Sequence, residues 1–179
     1  MVMAAAQPST IGAVVLNDIG PVIEMDGLLR IAGYVGRTPL PSSWDHAGKI
    51  AQELNARHFP NISDEGWREI SRQWFNEKNG RPVASYDPKV SRSLSVLDGS
   101  MPALWAQFGA LRRIPAMVIR GANSDLLSEK TVSQMAERHP NLVSHVVPNE
   151  GHAPLLQDAP TLEAIGAFLA RADAAYHRA

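Results

Sequence analysis

Apolar residues recur along this chain in two rhythms. Three short unbroken runs, Ala13 to Asn17 (AVVLN), Ala116 to Arg120 (AMVIR) and Leu142 to Val147 (LVSHVV), end at turn-forming residues and predict strands buried on both faces. Elsewhere the spacing is helical. Leu28, Ile31, Ala32 and Val35 form one stripe, Trp44, Ala47, Ala51 and Leu54 a second, and Trp67, Ile70 and Trp74 a third. Breakers at positions 38–43, 58–63 and 79–82 separate them, and no strand is predicted between the first run and the second. A further helix, with Leu104, Phe108 and Leu111 on one side, leads into the run at Ala116. Between the last two runs, Val132, Met135 and Ala136 share a helical face, with Ser128 placed to cap it and Arg138 in its final turn. That is a strand-helix-strand unit, which favours parallel pairing. Leu162, Ile165, Phe168 and Leu169 mark a closing amphipathic helix entered through Asp158 and Pro160. The pattern predicts an α/β fold of three parallel strands with flanking helices, interrupted by a helical insertion over residues 22–97.

Composition narrows what such a chain can do. At 179 residues there is room for one domain, here taken as 1–179. Apolar residues at 45% and charged ones at 20% are ordinary for a folded protein, so disorder is set aside. Seventeen basic against eighteen acidic residues leave a net charge of -1, without the basic face that nucleic acid demands. The absence of cysteine removes disulfides, thiolate metal sites and a cysteine nucleophile. No apolar run approaches the roughly 20 residues of a membrane span, and the start lacks a signal-like basic flank, so a soluble cytoplasmic protein is expected. His46, His58, His139, His145 and His177 show no ligand spacing; neither a metal nor another cofactor is expected.

The chemical signal lies in two loops. AMVIR is followed by Gly121-Ala122-Asn123-Ser124-Asp125, which puts a carboxylate beyond a strand's carboxyl end, where open α/β sheets build their sites. LVSHVV is followed by Pro148-Asn149-Glu150-Gly151-His152-Ala153-Pro154, which puts an imidazole in the corresponding loop of the next strand. On neighbouring strands, Asp125 and His152 would meet at one sheet edge as an acid orienting a base. Helix capping is the ordinary alternative for Asp125, and a loop histidine that for His152. The four tryptophans are expected to pack helices rather than line a substrate channel. Asn123-Ser124 reads as a plain turn.

Strand, G-x-x-x-D, helix, strand and G-H, in that order, resemble the acid and histidine segments of the α/β-hydrolase family, whose chain order is nucleophile, acid, histidine. The stretch Leu16 to Pro21 (LNDIGP) looks like the strand end leading into that family's cap, and the helical insertion sits where the cap is placed. The resemblance covers residues 11 to 170. It implies Asp125 and His152 as acid and base. Asp18 stands where some relatives place the acid, but ahead of Gly20-Pro21 it reads first as a turn former.

The family's G-x-S-x-G elbow is found nowhere in the chain; Asp98-Gly99-Ser100-Met101-Pro102 lacks both the second glycine and a preceding strand. Only twelve residues precede the strand at Ala13, and Met1 to Ala6 reads as the tail of the helix that follows an elbow. The resemblance therefore implies a truncated hydrolase with acid, base and cap but neither nucleophile nor oxyanion hole, inactive alone. Its complete form would act on a small apolar ester, or on a related carbon-carbon or carbon-halogen bond. Two other functions fit: a non-catalytic binding or interaction module, and one half of a split hydrolase whose other half pairs along the bare strand at 13–17.

Overall fold

The computed structural model describes residues 1–87, 89 and 101–176. They form two compact bodies, one of residues 1–27 with 101 onward, the other spanning Leu28–Ser100. His177 and most of the Asp98 to Pro102 segment lie outside the described residues.

The first body holds a parallel sheet in the order β1, β4, β5, with β1 Val14–Asn17, β4 Ala116–Gly121 and β5 Leu142–Val147. The pairing is in register from Val14 with Ala116 to Asn17 with Ile119, and from Ala116 with Leu142 to Gly121 with Val147. β4 is buried along its whole length, as a central strand covered on both faces must be. Its side chains alternate between two cores. Val118 packs with Leu16, Phe108, Leu111, Leu127 and Met135 on one face; Met117 and Ile119 pack with Val147 and Phe168 on the other. Arg120 is the polar exception, and its buried guanidinium donates from Nε to the Leu127 carbonyl at 2.9 Å. β1 is an edge strand, with no strand partner on its far side among the described residues.

Helices form where caps and apolar faces predict them. α1 (Val2–Ala6) stops at Gln7, ahead of Pro8, and α5 (Trp105–Gly109) buries Phe108. α6 (Glu129–Arg138) starts at Ser128, whose side chain accepts from the Thr131 amide, and Arg138 stacks 3.8 Å from the Trp105 ring. Its buried stripe runs through Thr131 and Met135, leaving Ala136 exposed, because that face meets β4 and β5 rather than solvent. α7 (Ala159–Tyr176) turns Ile165, Phe168 and Ala172 inward and leaves Leu162 and Leu169 largely exposed, half of the expected stripe.

The second body departs from the expectation of an all-helical insertion. α2 begins at Met25 and enters it (Met25–Tyr34); α3 (Trp44–Asn55) and α4 (Asp64–Trp74) follow, capped by the side chains of Ser43 and Ser63. A hairpin then appears, β2 Phe75–Lys78 against β3 Arg81–Ala84. Its turn residues Asn79 and Gly80 both have positive φ, 52° and 72°, which is the chemistry of a tight Asn-Gly hairpin. The segment carries short, mostly exposed strands without alternation, so only its turn was legible as a breaker. Trp67 is buried against Phe59 in an edge-on pair, whereas Trp74 lines an open cavity of about 260 Å³ with Tyr34, Leu40, Leu54 and Tyr86.

Candidate active site

The carboxyl ends of the three strands carry the site. β1 ends at Asn17, and the next residue, Asp18, adopts the left-handed conformation (φ 53°), which short polar side chains tolerate. Its carboxylate is fully buried and receives three hydrogen bonds. The Gly121 amide donates to Oδ1 at 2.9 Å, the Ser124 hydroxyl to Oδ2 at 2.6 Å, and His152 Nδ1 lies 2.9 Å from Oδ2. An ionised carboxylate accepts without donating, so Nδ1 carries the hydrogen and Nε2 is the acceptor nitrogen. His152 keeps 21% of its side chain exposed while Asp18 has none, so the imidazole faces outward from a buried anion.

Asp18 reaches His152 across an intervening strand. β4 lies between β1 and β5, and its last residue, Gly121, has no side chain to block the way. The same absence lets the β5 loop close down: a Cβ on Gly121 would lie 2.5 Å from the Gly151 carbonyl oxygen. Two backbone bonds staple the loops after β4 and β5, Ala122 to the Val147 carbonyl at 2.9 Å and Asn123 to that of Glu150 at 2.8 Å. Asn17 adds a third tie, its Nδ2 donating to the Pro154 carbonyl at 3.1 Å, while its Oδ1 is buried without a partner among the described residues.

The orienting position that the sequence assigned to Asp125 is therefore held by Asp18. An imidazole Nδ1–H is a single donor, and the carboxylate it meets comes from the end of β1, the position read as a turn. Asp125 stands in the loop after β4, where its backbone carbonyl accepts from the Gly27 amide at 3.1 Å. His152 lies in the loop after β5, as expected. Ser124, read as an ordinary turn residue, is the contact that sequence reasoning missed; the Asn-Ser-Asp run offers three short polar side chains and no local sign of which points inward.

Two neighbouring carboxyls have shifted titrations. Burial raises Glu150 above its ordinary value, partly offset by the Leu155 amide donating to its Oε2 at 2.7 Å. Asp158 is lowered: burial works against its charge, but hydrogen bonds from the hydroxyl and amide of Thr161 at the start of α7 outweigh it. Among the described residues no group of three or more His, Asp or Glu could hold a metal ion, and no helix is long and apolar enough to cross a membrane. Elsewhere, His139 bridges the Leu111 and Ile114 carbonyls through Nε2, and His145 contacts the Thr161 hydroxyl.

No family model matches the sequence. It is similar to a 3-hydroxybutyrate-oligomer hydrolase of Cupriavidus necator, 30% identical over an alignment of 170 residues that covers 88% of this chain and 56% of that protein. Among solved structures, an α/β hydrolase of Novosphingobium aromaticivorans superposes with a TM-score of 0.86 at 36% identity, covering 95% of this chain and 60% of that one. An E-2-(acetamidomethylene)succinate hydrolase gives a TM-score of 0.67 at 25% identity, over 93% of this chain and 60% of that one. The chain thus spans under two thirds of the length of these relatives. Sheet order, the loops at the strand ends and these similarities together give the chain the architecture of the C-terminal part of an α/β-hydrolase fold.

Proposed function

We propose that this chain supplies the acid–base half of an ester-hydrolysing site, Asp18 orienting His152, and that a polypeptide lying alongside β1 supplies the nucleophile. The observation that carries this reading is the buried carboxylate bonded to Nδ1 of a partly exposed imidazole, which leaves Nε2 free to take a proton. In the reaction, Nε2 accepts the hydrogen of a serine-type hydroxyl as its oxygen attacks the ester carbonyl. It then returns that proton to the departing alcohol, and water repeats the cycle to release the acid. Asp18 stays ionised throughout, holding the tautomer and stabilising the imidazolium.

The absence of a G-x-S-x-G elbow from the sequence is why the nucleophile is assigned elsewhere. The open side of β1 offers a strand edge beside Asp18, and the unpartnered Oδ1 of Asn17 offers a buried acceptor for a donor arriving there. The substrate class, a short-chain oxygen ester, follows the chemistry in the name of the Cupriavidus relative.

The test uses a chromogenic butyrate ester. The chain is assayed alone and mixed with an elbow-bearing N-terminal fragment of the Novosphingobium hydrolase. Turnover that needs both pieces and disappears with His152→Ala supports the assignment. Turnover that survives His152→Ala overturns it, and none from the mixture favours a non-catalytic binding role.

A further inference from the structure

We infer that Ser124 is a positioning residue for His152, acting through the carboxylate of Asp18; this rests on the Asp18–His152 pairing proposed above. A serine hydroxyl has one hydrogen and two lone-pair directions and normally rotates to suit its surroundings. At Ser124 both acceptor directions are taken, by the amides of Leu126 at 3.2 Å and Leu127 at 3.1 Å. Its hydrogen is left with one target, Asp18 Oδ2, at 2.6 Å. That length is typical of a hydroxyl bonded to an ionised oxygen, among the stronger hydrogen bonds a protein makes.

The choice of oxygen decides what the bond does. Gly121 donates to Oδ1, whereas Ser124 and His152 donate to the same Oδ2. Two donors on one oxygen compete for its charge, so the hydroxyl tempers how strongly Asp18 holds the Nδ1 hydrogen. It also stops the carboxylate from rotating away from the imidazole. The loop after β4 therefore contributes a hydroxyl to the pair, while its own acid, Asp125, is the adjacent residue. The titratable groups in the surrounding loops are Asp18, Asp125 and Glu150, with Asp158 further along toward α7.

The experiment is nuclear magnetic resonance on the full chain with histidine labelled by nitrogen-15. In the native chain, neutral His152 is expected as the Nδ1–H tautomer with a low-field hydrogen-bonded proton. Ser124→Ala is expected to move that proton further downfield, because Oδ2 then serves one donor. Ser124→Thr, which keeps the hydroxyl, is expected to restore its position. An unchanged or upfield-shifted proton in Ser124→Ala would overturn the inference about Ser124 alone. If the native chain shows the Nε2–H tautomer, or Asp18→Asn leaves the proton where it was, the pairing itself fails.

Discussion

Gly121→Ala is the smallest change that tests how the site is held together. Gly121 sits in ordinary extended backbone at the end of β4, so a methyl group there meets no conformational penalty of its own. The obstacle is the neighbouring chain. The new Cβ would lie 2.5 Å from the Gly151 carbonyl oxygen, and ordinary contact begins at 3.4 Å, so the loop after β5 must retreat by about 0.9 Å. His152 is the next residue. A retreat of that size stretches its 2.9 Å bond to Asp18 beyond the range in which an N–H···O bond is worth much. Overpacking costs about 1–3 kcal/mol, and losing a hydrogen bond to a charged group costs about 1.5–3 kcal/mol, so a total of about 2.5–6 kcal/mol is expected. With a urea slope of about 2 kcal/mol per molar, the unfolding midpoint should fall by about 1–3 M. The low-field His152 proton should vanish in the same sample. An unchanged midpoint together with a native His152 signal would refute the close packing of these two loops.

Three further outcomes follow from the same contacts. Asp18→Asn turns one of two buried acceptor atoms into a donor facing Gly121, Ser124 or His152, so it should cost about 1–3 kcal/mol in urea unfolding, while Asp125→Asn should leave the His152 tautomer signal in place. Met135→Ala empties a fully buried position on α6 against Leu127 and Phe108 and should lower stability by about 2–5 kcal/mol by the same measurement. Glu150 is raised by burial, so its contribution favours the folded state at low pH and is lost as pH climbs above the ordinary 4.5. Glu150→Gln, which keeps an oxygen for the Leu155 amide, should therefore gain stability over the native chain at pH 7, with the difference closing as pH falls below 4.5; a difference independent of pH would contradict the burial of that charge.

Much of the first body was legible because its central strand must be apolar on both faces. A strand such as Met117-Val118-Ile119, flanked by β1 and β5 and covered above and below, has no polar choice to make, and the sequence shows that directly. The same logic exposed the strand-helix-strand unit and the cap at Ser128. It failed where burial is partial. Leu162 and Leu169 satisfy helical spacing but face outward on α7, because residues on the rim of a stripe are included or left out by the neighbour's shape, not by period. The hairpin Phe75–Ala84 escaped for the related reason that little of it is buried, so no alternation was selected into it.

The acid was misplaced by a different kind of error. Sequence order suggests that a residue after β5 meets the residue after β4, its neighbour in the sheet, and this made Asp125 the natural partner of His152. The contact instead skips a strand. It can do so because three conditions coincide: Gly121 leaves the end of β4 bare, the left-handed turn at Asp18 brings its carboxylate back over that gap, and Ser124 fills the position in the β4 loop with a donor rather than a second anion. The last condition has an energetic reason. Two carboxylates converging on one imidazole in a buried site would repel each other and raise the pKa of one of them, whereas a hydroxyl and an amide stabilise a single buried charge. A Gly at the end of the middle strand, an Asp one residue past the first, and a hydroxyl three residues past that Gly are thus one linked set. Replacing Ser124 by Asp should accordingly weaken the site more than replacing it by Ala, visible as a lower urea midpoint at pH 7 that recovers toward the Ala variant as the added carboxyl is protonated at low pH. Equal midpoints for the two variants at pH 7 would remove the electrostatic part of this explanation and leave only the geometric one.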